Sequence, residues 1–227
     1  MLCAFGASHP GLRRSNNEDS FLCVPERGLF AVADGLGGLM YGEVASGLLV
    51  ELLESAQEHE LADLNALALR LSEAIADKGA ELCASTIGTT MTLAIVREGK
   101  LRIAQVGDSV AFLLTSEDGF RQLTTEQTVA DERRRAGRID IEPYMNHVLT
   151  QCMGQKEAVV PELLELDFPA GARLLLCSDG ITKTVQDEHI HEALAECETP
   201  QRVVKELIDM ANRAGGPDNS TVVAVFA

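Results

Sequence analysis

Apolar residues along the chain fall into short runs first, then into four-residue repeats, then into short runs again. Residues 21–25 and 28–33 are apolar runs parted by Glu26-Arg27, a hairpin pattern. Val44, Leu48, Leu52 and Ala56 recur every four residues with Leu49 and Leu53 beside them, which predicts a helix over 43–58. Leu64, Leu67, Ala68, Leu71 and Ile75 share one face of a second helix over 61–78. Residues 90–97 and 100–106 are β-rich and joined by Glu98-Gly99, and 110–115 and 120–123 form another pair across 116–119. Apolar strands at 172–178 and 220–226 enclose two helices, about 187–196 and 200–213, the second with Thr199 as N-cap and Pro200 at its first position. Residues 124–160 are the least regular part and read as an insertion or flap. Hairpin strands with paired helices between them predict antiparallel sheets covered by helices.

Composition narrows the class. At 227 residues with 46 % hydrophobic and 24 % charged side chains, the chain suits one compact domain with a buried core. Its net charge of −16 disfavours nucleic acid and anionic membranes as partners, since both need a positive surface. Six cysteines, Cys3, Cys23, Cys83, Cys152, Cys177 and Cys197, include no C-x-x-C pair and none at zinc spacing to a histidine. Scattered thiols fit a reducing compartment. There is no long apolar h-region at the start and no stretch of membrane-spanning length, so the expectation is a soluble cytoplasmic monomer.

Aspartates at strand ends carry the chemistry. Four apolar runs end in, or begin after, an aspartate beside a turn residue: 30–35 with Asp34-Gly35, 103–109 with Asp108, 174–180 with Asp179, and 218–223 with Asp218. One Asp-Gly is usually a turn. Four carboxylates at the ends of buried strands are costly unless a cation is shared among them, and oxygen ligands select hard ions such as Mg²⁺ or Mn²⁺. A glycine after Asp34 lets its own carbonyl approach an ion closely.

In this order the segments 14–19 (Arg-Ser-Asn-Asn-Glu-Asp), 32–38 (Val-Ala-Asp-Gly-Leu-Gly-Gly), 42–46, 88–90 (Gly-Thr-Thr), 106–109, 178–180 and 216–221 (Gly-Pro-Asp-Asn-Ser-Thr) resemble the type 2C metal-dependent protein phosphatases in their compact bacterial form. The resemblance spans Gly11 to Val225. It implies an α+β fold: a four-layer αββα sandwich of two antiparallel sheets flanked by antiparallel helix pairs. It also implies a phosphoserine/phosphothreonine phosphatase with two Mn²⁺ or Mg²⁺ ions per site. By position, Asp34 would bridge both ions and Gly35 would offer its carbonyl to one. Asp179 and Asp218 would hold the other, and Glu18 and Asp19 would act partly through bound water. Asp108 with Asp179 would hold a third, weaker ion, and Arg14 would bind the substrate phosphate. Two divalent ions about 3.5–4 Å apart lower the pKa of a bridging water enough to give hydroxide near neutral pH for in-line attack on phosphorus.

The family's bacterial members commonly oppose a serine/threonine kinase, so phosphorylated proteins and a cognate kinase are the expected partners. The segment 149–155 (Leu-Thr-Gln-Cys-Met-Gly-Gln) is similar to secretion-associated members. Two departures stand out. Leu36 replaces a histidine proposed as general acid in many eukaryotic members, which leaves water to protonate the leaving oxygen. Val110 replaces an arginine that often follows Gly-Asp-Ser. Among His9, His59, His147, His189 and His191, only His9 and His147 are candidates for a substitute acid. The run 131–138, with Arg133, Arg134, Arg135 and Arg138, reads either as a locally paired helix face or as a docking surface for phosphorylated partners. A non-catalytic phosphoprotein sensor is the alternative function, against which the retained Asp34, Asp179 and Asp218 argue. A metal-dependent nuclease is disfavoured by the charge.

Overall fold

The computed structural model describes residues 2–36, 41–84 and 86–227; Gly37 and Gly38 of the 32–38 motif lie outside the described residues. The strands are β1 (Cys3–His9), β2 (Asp19–Val24), β3 (Leu29–Asp34), β4 (Met91–Arg97), β5 (Lys100–Val106), β6 (Val110–Thr115), β7 (Gly119–Gln122), β8 (Glu162–Asp167), β9 (Arg173–Cys177) and β10 (Ser220–Phe226). The helices are α1 (Gly42–Ser55), α2 (Glu58–Leu61), α3 (Leu64–Glu81), α4 (Val129–Arg135), α5 (Asp179–Thr182), α6 (Asp187–Glu196) and α7 (Pro200–Arg213).

Two five-stranded sheets form, in the orders β1-β10-β9-β6-β7 and β2-β3-β4-β5-β8. All pairings are antiparallel. Side chains alternate across each strand, so one strand feeds two cores. In β3, Phe30 and Val32 pack between the sheets against Ala94, Ile103, Leu174, Leu176 and Val223. Their neighbours Leu29, Ala31 and Ala33 face α1 and α3, where Leu49, Leu53, Leu67, Leu71 and Ile75 meet them. The other outer layer is α6 and α7, whose Ile190, Leu194, Val203, Val204 and Leu207 cover Phe112, Leu175, Val222 and Ala224. These three cores make the four-layer α+β sandwich. Burial on both faces is why β3, β9 and β10 read as unbroken apolar runs rather than as alternation.

Local chemistry sets the helix ends. The expected helix over 43–58 stops at Ser55, because Gln57 and Glu60 form a capping box that starts the separate α2. The second helix begins at Leu64 rather than 61, since the Asp63 carboxylate accepts from the backbone N–H groups of Asn65 and Ala66. Thr199 caps α7 by accepting from Arg202 N at 3.3 Å, as expected. The run 124–160 is not featureless. It contains α4 and a 3-10 turn at Pro143–His147, closes on itself through the bridge Thr128↔Leu149, and returns to the body through Thr89↔Met153. No helix among the described residues is long and apolar enough to cross a membrane.

Candidate metal centre

One end of the sandwich gathers the aspartates. Antiparallel pairing sets Asp19, the first residue of β2, opposite Asp34, the last of β3. The same logic brings the end of β9, leading to Asp179, beside the start of β10, which follows Asp218. Asp108 sits in the link between β5 and β6. Arg14, Glu18, Asp34, Gly35, Asp108, Asp179 and Asp218 all line a single cleft of about 630 Å³. The returning segment His147–Cys152 and Leu36 line the same cleft.

Backbone clamps hold these positions. Thr90 Oγ1 accepts from Asp34 N at 2.9 Å, and Asp34 O accepts from Thr90 N at 2.8 Å and from Thr89 Oγ1 at 2.9 Å. Asp34's main chain is thereby fixed while its carboxylate stays directed at the cleft. Gly35 N donates to Glu18 O, and a Cβ on Gly35 would lie 2.4 Å from Gly42 O and 2.6 Å from Glu18 O. Gly35 is therefore required by main-chain crowding, whatever its carbonyl binds. Gly180 is tighter still: its Cβ would lie 1.8 Å from Asn219 O. Asn219 is a hub, accepting from Glu18 N at 2.8 Å and donating to Pro10 O and Asn16 O at 3.0 and 2.9 Å.

Like charge dominates the electrostatics. Burial, and then the charges of Asp19, Asp179, Asp108 and Asp218, hold the Asp34 carboxyl well above the ordinary range. Burial chiefly, with Asp179, pushes Asp108 up to about 6. Asp19 lies beneath the cleft and is 7 % exposed. Its Oδ2 accepts from Ser178 Oγ at 2.8 Å and Thr221 Oγ1 at 2.6 Å, yet burial still pushes it up to about 7. Its Oδ1 has no hydrogen-bond partner. Two cations answer the crowd. Arg14 Nη2 donates to Asp218 Oδ2 at 2.8 Å, and Lys183 Nζ contacts Asp179 Oδ2 and lies 3.4 Å from Asp108 Oδ2. With these pairs formed, no three acidic, histidine or cysteine side chains among the described residues are gathered tightly enough to grip an ion as they stand. The donor set nevertheless fits hard divalent ions: oxygens only, mutually repelling, with one buried carboxylate oxygen orphaned.

A family model for protein phosphatase 2C matches residues 6–221. The chain belongs to the protein phosphatase 2C family. Among similar proteins, the serine/threonine phosphatase stp of Listeria innocua is 33 % identical over 95 % of this chain and 92 % of its own length. The phosphatase PstP of Mycobacterium tuberculosis is 37 % identical over 95 % of this chain and 43 % of its own length. Two solved structures are similar in fold. PppA of Pseudomonas aeruginosa has a TM-score of 0.89 at 28 % identity, covering 100 % of this chain and 97 % of that one. The catalytic domain of PstP with two manganese ions has a TM-score of 0.86 at 36 % identity, covering 99 % and 97 %.

Within this protein phosphatase 2C chain, every residue expected at the site lines the cleft except Asp19, which supports it from below. His147 reaches the cleft wall. His9 does not: its Nδ1 accepts from Gly11 N at 2.9 Å and holds a turn. Val110 is fully buried in β6 beside Cys177, where an arginine would be stranded. The arginine run is mostly spent locally. Arg133 and Arg138 pair with Asp140, and Arg134 pairs with Asp131. Lys183 escaped sequence reasoning, and Thr90 and Asn219 stood in the segments 88–90 and 216–221 without a role of their own. Lys183 lies four residues after Asp179, so helix spacing was the signal that could have found it.

Proposed function

We propose that this chain hydrolyses phosphoserine and phosphothreonine in other proteins by direct attack of water on phosphorus, with two Mn²⁺ or Mg²⁺ ions bound. The observation that carries this reading is the convergence of Glu18, Asp34, Asp179, Asp218 and Arg14 on one cleft, with Asp34 held above the normal carboxylate range by burial and like charge. Asp34 would serve both ions, the Gly35 carbonyl one, and Asp179 and Asp218 the other, with Glu18 and Asp19 acting through water. Bound there, the ions would supply Lewis acidity that brings a water's pKa toward neutrality and would offset charge on the phosphoryl oxygens.

The chain's own groups do the rest. Arg14 is 43 % exposed in its side chain, so its guanidinium is free to swing from Asp218 to a phosphate, which it fits bidentately. Thr89 and Thr90 keep Asp34 from turning. Leu36 carries no proton, so the leaving serine or threonine oxygen takes its proton from water. The expected physiological setting is opposition to a serine/threonine kinase. PppA, described as a key regulatory component of T6SS in Pseudomonas aeruginosa, is similar over the whole chain, which favours a secretion-linked setting together with the segment 149–155.

The test is turnover of a phosphothreonine peptide and of p-nitrophenyl phosphate. Both should require Mn²⁺ or Mg²⁺, stop with chelator, and fall to background in Asp34→Asn. Phosphopeptide binding without turnover in saturating Mn²⁺ would instead make the chain a sensor.

A further inference from the structure

Lys183 lines the cleft, and the two-ion reading gives it no role. It caps the single-turn helix α5, and its backbone N donates to Asp179 O at 2.8 Å. Its side chain then folds back over the same residue, so that Nζ meets Asp179 Oδ2 and stands 3.4 Å from Asp108 Oδ2. Only 29 % of that side chain is exposed. The ammonium thus spans two carboxylates carried by different links, β5–β6 and β9–α5. These are the two groups that the resemblance assigns to a third, weaker ion.

We infer that Lys183 is an internal cation that occupies the Asp108–Asp179 pair in place of a third divalent ion, leaving this chain a two-ion phosphatase. The inference rests on the two-ion reading above. An ion at that pair would meet a fixed positive charge at contact distance. Displacing it would break both of its ion pairs and leave a largely buried ammonium with no partner. Unlike an ion, the ammonium cannot be diluted away, so the Asp108 side of the cleft stays neutralised at any metal concentration.

The experiment is a direct count of bound Mn²⁺ by equilibrium dialysis on the folded 227-residue chain. Wild type should bind two ions, and Asp108→Asn and Lys183→Arg should bind the same two. Lys183→Met should gain a third, weaker ion, which the double variant Lys183→Met with Asp108→Asn should lose again. Three ions on the wild type, or a folded Lys183→Met that stays at two, overturns the inference while leaving the phosphatase reading intact. A wild type that binds none overturns both. Should Lys183→Met fail to fold, Asp108→Asn alone decides: an unchanged count of two supports the internal cation, and a lost ion refutes it.

Discussion

Removal of divalent ions should leave a protein that weakens as pH rises from about 4 to about 7, the reverse of ordinary acid unfolding. Asp19 is the best-defined cause. Its carboxyl stands at about 7 in the folded chain against an ordinary 3.8. The folded state therefore holds a proton that the unfolded state has released, and stability present below pH 3.8 is lost as pH climbs through about 7. At 1.36 kcal/mol per pH unit, roughly three units amount to about 4 kcal/mol. Asp34 and Asp108 act in the same direction, but they share the same repulsion, so their contributions do not simply add. Surface carboxylates such as Glu58 and Asp140, held down by arginines, work the other way, but only in the acid range below their ordinary values. For a chain of this size about 4 kcal/mol corresponds to a Tm change of roughly 8–16 °C. Thermal melts in EDTA from pH 4 to 8 read it directly. Asp19→Asn should flatten the profile, and saturating Mn²⁺ at pH 8 should restore what EDTA removed. An ion-free Tm that is level or rising across this range, or one whose slope survives Asp19→Asn, would refute the reasoning.

Three further outcomes follow from the geometry. Arg14→Ala should cut kcat/KM on a phosphothreonine peptide by about 10- to 150-fold, the worth of a hydrogen bond to a charged group, with Arg14→Lys recovering part; an unchanged kcat/KM removes Arg14 from phosphate binding. Gly180→Ala forces a methyl against Asn219 O and should cost about 3 kcal/mol or more in urea denaturation, whereas Gly47→Ala, on α1 with open space around it, should stabilise by about 1 kcal/mol. Thr90→Val strips partners from Asp34 N and Ser109 Oγ and should cost about 1–3 kcal/mol together with weaker Mn²⁺ binding by calorimetry; a neutral Thr90→Val would mean water replaces both contacts.

Strands buried on both faces were legible because their apolar runs are unbroken, as in residues 29–33, 91–96 and 174–177. Two of the four edge strands, β1 and β8, were not. β1 reads Cys-Ala-Phe-Gly-Ala-Ser-His, small residues with little strand preference, and it forms because β10 offers a partner from the far end of the sequence. β8 alternates half-buried with exposed positions and borrows its register from β5. Site carboxylates announced themselves by sitting after apolar runs. The groups that orient them did not, because Thr90, Ser178 and Asn219 act through contacts 55 or more residues away in sequence.

The Asn219 amide joins a stretch that synthesis delivers late to one delivered about 200 residues earlier. It grips Pro10, Asn16 and Glu18, while β10 zips along β1 from Ser220↔His9 to Phe226↔Cys3. A ribosome that has reached Gly216 has made every other wall of the cleft, yet neither Asp218 nor the strand that seats Asp19 is present. Truncated products should therefore be silent rather than partly active, so an unfinished chain cannot erase phosphorylation marks before its own quality has been proved by folding.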